Sequence, residues 1–128
     1  MYLILLYIFI GCRDIPTDVP TDLGFVVDAS ASLYREGFDK ELDFIKQVVQ
    51  RFGKLSDDGL RIGVVVYSSI ATLRIKFNDF SRVDDLLRAI DNLPYDEAMT
   101  RIDLGLMEAK KMFDVKNGAR PVSKKVIL

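Results

Sequence analysis

A chain of 128 residues with 49% hydrophobic and 29% charged side chains is long enough for one domain with a packed core and too short for two. Lys+Arg 18 against Asp+Glu 19, a net charge of −1, gives no basic surface for nucleic acid or an anionic membrane. The absence of His removes the usual general base and a common zinc ligand, and a single Cys removes thiolate zinc sites and internal disulfides, so any metal here must be held by oxygen, as Mg²⁺, Ca²⁺ or Mn²⁺ are.

Taken in order, the chain starts with an apolar run, YLILLYIFI, at residues 2–10. It is shorter than the roughly 20 residues that span a bilayer, so no stable membrane span is expected. It has the length of a signal-peptide core, although no Lys or Arg precedes it and Phe9 spoils a small-x-small cleavage site at Gly11. Residues 1–11 are therefore expected to be a signal peptide with a partial pattern. The alternatives are a buried first strand, a misplaced start codon, or a lipoprotein signal at Ile10-Gly11-Cys12. Residues 12–21 hold Pro16, Pro20 and short polar residues and are expected to be an extended linker. Cys12 is the odd Cys of an exported chain, either free or disulfide-linked to a Cys outside this sequence.

The continuous apolar run Leu23 to Val27 predicts a strand covered on both faces, and Asp28 ends it. Phe38, Leu42, Ile45, Val48, Val49 and Phe52 recur at helical spacing, and Gly53 stops that helix. Its other face, with Asp39, Lys40, Glu41, Lys46, Gln47 and Arg51, is expected to be solvated. Asp57-Asp58-Gly59 is a turn, and Arg61 to Tyr67 is a second buried strand. After the Ser68-Ser69 turn, Ala71, Leu73, Ile75 and Phe77 alternate with Thr72, Arg74 and Lys76, which predicts a half-exposed antiparallel edge strand. Ser81 to Asp84 has the form of a capping box ahead of a short helix with Val83, Leu86, Leu87 and Ile90 inward. Leu93 to Thr100 is a loop. The next helix is expected to place Ile102, Leu106, Ala109, Met112 and Phe113 on one side, ended by Gly118 and Pro121, and Lys124 to Leu128 starts another buried strand. The order β-α-β-β-α-α-β implies an α/β fold, doubly wound around a mostly parallel sheet with one antiparallel edge strand. Ligands of such sheets gather beyond the carboxyl ends of the strands, where Asp28 stands.

Three roles fit Asp28-Ala29-Ser30-Ala31-Ser32. Ser30 or Ser32 caps the next helix while Asp28 accepts from backbone N–H groups. Or Asp28 is a phosphoryl-accepting nucleophile, although phosphatases of the haloacid-dehalogenase type need a second Asp where Ser30 stands. Or Asp28, Ser30 and Ser32, alternating along a short loop, aim their oxygens at one hard cation such as Mg²⁺. One carboxylate and neutral hydroxyls would leave that ion with excess positive charge, which attracts an acidic group from outside.

From Asp22 to Leu128 the chain resembles the von Willebrand factor type A (integrin I-like) domain, in the style of its matrilin and collagen branch. The resemblance rests on LGFVVDASAS, the Phe38-to-Phe52 helix, RIGVVVYSS followed by ATLRIKF, the Asn78-to-Ile90 segment, Thr100-Arg-Ile-Asp-Leu and KKVIL, all in the family's order. It implies a Rossmann-like fold and a metal-ion-dependent adhesion site of the form D-x-S-x-S. The metal ligands it implies are Asp28, Ser30, Ser32 and, by position, Thr100, holding Mg²⁺ or Mn²⁺. The family's further acidic residue lies in a T-D-G segment at the end of the fourth strand. The sequence stops at Leu128 inside the matching strand, so the chain is expected to be truncated at its C-terminus. Where family members commonly have Gly before the Thr, this chain has Asp96-Glu97-Ala98-Met99, read as a solvated acidic loop with a carboxylate lent to the cation as the alternative. In the family a Cys placed like Cys12 often pairs with one after the last helix. The resemblance further implies a secreted, non-enzymatic adhesion module that binds an acidic group of an extracellular matrix or cell-surface protein, such as a collagen-like ligand. The alternatives are a structural matrix-assembly domain with a weak or empty metal site and, remotely, an aspartate-based phosphatase.

Overall fold

In the computed structural model, which describes residues 20–52 and 54–128, the run around Phe25 forms strand β1, Thr21–Asp28. The expected signal peptide, Cys12, most of the expected linker and the Gly53 helix stop lie outside the described residues. A 3-10 turn, Ala31–Leu33, leads into helix α1, Tyr34–Phe52. Strands β2, Leu60–Tyr67, and β3, Ala71–Ile75, follow, then helices α2, Val83–Asp91, and α3, Ile102–Met112. A second 3-10 turn, Val115–Asn117, precedes strand β4, Lys124–Ile127. None of the described helices is long and apolar enough to cross a membrane.

The four strands lie in the order β3-β2-β1-β4. β1 runs parallel to both β2 and β4, and only β2–β3 is antiparallel. Seven of the eight residues of β2, all but Arg61, are buried because the sheet is covered on both faces. Leu23, Phe25 and Val27 of β1 and Ile62, Val64 and Val66 of β2 pack under α1 and α2, among Phe38, Leu42, Ile45, Val49, Leu86 and Ile90. The alternate residues face α3, where Val65, Phe77, Ala109 and Met112 form a second cluster. The chain leaves β1 for β2 on one side and reaches β4 on the other, so the carboxyl end of β1 sits where the winding reverses, the usual ligand crevice of such sheets.

Three sequence expectations need correction. Ser81 does not cap α2: the helix starts at Val83 with Arg82 at the N-cap and no side-chain cap bond, and Asp84 and Asp85 supply negative charge to its first turn. The inward face of α3 is Gly105, Ala109 and Met112, whereas Ile102 and Leu106 are 56% and 59% exposed. At Gly105 a small residue is required because the Tyr67 ring stands where a Cβ would be. β4 is largely exposed rather than buried, since it pairs on one side only, with β1, and of its side chains Val126 alone packs on the core.

A Cβ at Gly105 would stand 2.8 Å from two ring carbons of Tyr67, at the root of the ring rather than its far end. Gly105→Val is therefore expected to lift α3 and destabilise the chain by about 1–3 kcal/mol, as overpacked cores do. Chemical denaturation checks this; an unchanged midpoint would mean that α3 does not rest on Tyr67.

Candidate metal centre

Asp28 is the last residue of β1, half-buried, and its Oδ1 accepts the N–H of Ser30 at 2.8 Å. This folds the chain back over the strand end and turns the two Ser side chains toward one point. Ser30 is fully buried and its Oγ lies 2.9 Å from the Oγ of Ser32. Ser32 Oγ in turn lies 3.2 Å from Oγ1 of Thr100, 68 residues along the chain. Of the three roles weighed, capping is not seen for Ser30, which sits at the N-cap of the 3-10 turn without a side-chain cap bond. Asp28 does accept a backbone N–H, as that alternative has it. All four residues singled out in the sequence are thus brought together.

Two loops meet here. Ala31 donates its N–H to Ala98 O at 3.0 Å, and Asp96 donates its N–H to Ala29 O at 3.3 Å. Tyr95 anchors the second loop on the Phe38 ring, centroids 5.3 Å apart, with the Arg35 guanidinium 5.8 Å from the Tyr95 centroid. Asp96 is exposed yet bonded, its Oδ2 accepting from Ser68 Oγ at 2.5 Å. Tyr34, just past the serines, is the only non-glycine residue at positive φ among those described (56°), and its side chain is exposed.

The donor set is all oxygen, one carboxylate and three hydroxyls, and suits a hard cation. Among the described residues no cluster of three or more His, Cys, Asp or Glu is placed to hold a metal. Of Asp28, Ser30, Ser32 and Thr100, Asp28 alone carries a charge.

A family model described as the von Willebrand factor type A domain matches residues 22–128. The chain belongs to that family. It is 30% identical over 111 residues to the human collagen alpha-6(VI) chain and 34% identical over 107 residues to human matrilin-1. These alignments cover 87% and 83% of this chain but only 5% and 21% of those proteins, so the chain spans a small part of their length. Among solved structures it is similar to proximal thread matrix protein 1 from the mussel byssus, described with a zinc occupied MIDAS motif, at a TM-score of 0.69 and 30% identity, covering 85% of this chain and 29% of that one. A second crystal form of the mussel protein gives a TM-score of 0.71 over 98% of this chain and 32% of that one.

Within this A domain, Glu41 is the residue that sequence reasoning misplaced. Expected on the solvated face of α1, it is instead half-buried, and its Oε2 accepts the backbone N–H of Asp28 at 3.1 Å. Burial, and then the Asp28 charge, push its carboxyl up to about 7. Burial also raises the Tyr67 phenol to about 12, with the charges of Asp28 and Glu41 adding to it. The only hint was position: Glu41 lies three residues after Phe38 and one before Leu42, on the shoulder of the buried stripe. Because the folded value exceeds the ordinary 4.5, the folded chain holds the Glu41 proton more tightly than the unfolded one. Metal-free stability from this group is then intact below about pH 4.5 and falls as pH rises to about 7. Glu41→Gln, which keeps an acceptor for Asp28 N–H, is expected to remove that decline. Unfolding midpoints in EDTA at pH 5 and pH 8 check this; equal gains from the substitution at both pH values would count against it.

Proposed function

We propose that Asp28, Ser30, Ser32 and Thr100 hold a divalent cation, Mg²⁺ or Mn²⁺, and that this cation takes a carboxylate from an extracellular partner. The observation that carries this is the chain of hydroxyl oxygens at 2.9 and 3.2 Å beside the Asp28 carboxylate. Oxygens on adjacent corners of an octahedron of radius about 2.1 Å stand about 3 Å apart, so these spacings suit a small hard ion. The mussel protein's zinc occupied MIDAS motif supports a divalent cation as the class of ligand. When bound, the ion supplies a Lewis-acidic positive centre. Asp28 neutralises one of its two charges, the hydroxyls neutralise none, and the residual charge favours an acidic side chain from outside.

The similarity to collagen VI and matrilin supports an extracellular, secreted module that adheres to a matrix or cell-surface protein, with a collagen-like ligand as the first candidate. No catalytic role is assigned to the site: it lacks His and lacks the second Asp of an aspartate-based phosphatase. A structural matrix-assembly role with a weakly occupied site is the second reading, favoured by three of the four donors being neutral. Solid-phase binding of the chain to collagen in Mn²⁺ and in EDTA separates the two. Adhesion predicts binding that is lost in EDTA; binding equal in both would favour the structural role.

A further inference from the structure

The loop that carries Thr100 has no glycine between Leu93 and Thr100. None of its residues needs the left-handed backbone that favours glycine, and its placement is set by its contacts. Ser68, buried at 3% exposure in the β2–β3 turn, bonds the loop on both sides of Thr100. Its hydroxyl donates to Asp96 Oδ2, and its carbonyl accepts the N–H of Arg101 at 2.8 Å. One residue thus brackets the segment 96–101. Ser68 is itself fixed, since its N–H donates to Ile70 O at 2.8 Å. The residue before it, Tyr67, accepts the N–H of Ala29 at 2.8 Å. The same turn therefore references both the loop of Asp28, Ser30 and Ser32 and the loop of Thr100.

We propose that Ser68 and Asp96 are a positioning pair that sets the Thr100 hydroxyl against Ser32 and thereby completes the cation site. This rests on the cation reading above. Asp96 acts as a hydrogen-bond acceptor held by Ser68, not as a ligand. Its partner is the more informative residue, because a solvated acidic loop needs no buried hydroxyl beneath it, and Ser68 is among the few buried polar side chains of the described residues.

The test uses the 128-residue chain with Ser68→Ala, Asp96→Ala and Asp96→Asn. In EDTA, amide hydrogen exchange is read at Ala31 and Arg101, whose N–H groups bond Ala98 O and Ser68 O. Mn²⁺ affinity is then read by calorimetry. Ser68→Ala and Asp96→Ala are expected to weaken Mn²⁺ binding about tenfold, the scale of lost outer-shell support. They are also expected to speed exchange at Ala31 and Arg101 while leaving Val64 and Val65 in β2 unchanged. Asp96→Asn keeps an acceptor and is expected to behave like the parent in both readouts. Either readout unmoved in Ser68→Ala overturns the proposal, as does Asp96→Asn falling as far as Asp96→Ala, which would make the carboxylate charge rather than the hydrogen bond the active element. If the parent itself takes no Mn²⁺, the cation reading fails, and exchange at Ala31 and Arg101 alone decides whether the pair holds the loop.

Discussion

Arg120→Ala is expected to destabilise the chain by about 3–5 kcal/mol, the cost of leaving one member of a buried ion pair alone. Asp22 is fully buried, and Arg120 is its only charged partner among the described residues. Nε and Nη2 of Arg120 donate to Asp22 Oδ1 at 2.9 and 2.8 Å, its backbone N–H donates to Oδ2 at 2.8 Å, and Ser123 Oγ donates to Oδ2 as well. The same guanidinium donates to the carbonyls of Thr21, Asp57 and Gly59. One side chain therefore ties the start of β1, the turn before β2 and the segment before β4. Without it, Asp22 Oδ1 loses both guanidinium bonds and the carbonyls of Thr21, Asp57 and Gly59 each lose one, while Oδ2 keeps the residue-120 N–H and Ser123 Oγ, and a Lys replacement cannot restore the fork. Denaturant midpoints measure the loss. Arg120→Lys is expected to fall between parent and Arg120→Ala, and a loss under about 1 kcal/mol in Arg120→Ala would place the pair among surface ion pairs.

The second large effect concerns the cation. Asp28→Ala is expected to weaken Mn²⁺ binding at least about a hundredfold, about 2.7 kcal/mol, because Asp28 is the only carboxylate in the donor set. Ser30→Ala, Ser32→Ala and Thr100→Ala each remove one neutral donor and are expected to cost less, about tenfold or about 1.4 kcal/mol. Calorimetric titrations of the four variants give the ranking directly. A Ser or Thr variant more damaging than Asp28→Ala would reverse the roles assigned here.

Much of the fold was legible because its signals are local. The apolar runs that became β1 and β2, the period of two in β3 and the helical spacing after Phe38 each depend on neighbours in sequence. The D-x-S-x-S loop was legible for the same reason, and Thr100 only through the family resemblance. What stayed hidden was set by tertiary contact. No role was read for Asp22, because its partner Arg120 lies 98 residues away. Glu41 was read as solvated because nothing on α1 announces the strand end beneath it. The inward stripe of α3 was misassigned to Ile102 and Leu106 because apolarity was weighed above size, whereas the Tyr67 ring stands where a Cβ of residue 105 would be. Ser68 looked like any turn serine until both its bonds to the Thr100 loop were seen.

The most direct measurement is anomalous diffraction from crystals of the chain soaked in Mn²⁺. A peak within coordination distance, about 2.2 Å, of Asp28, Ser30, Ser32 and Thr100 oxygens is predicted. No peak there at saturating Mn²⁺, or one only at other carboxylates, would contradict a cation-dependent binding module.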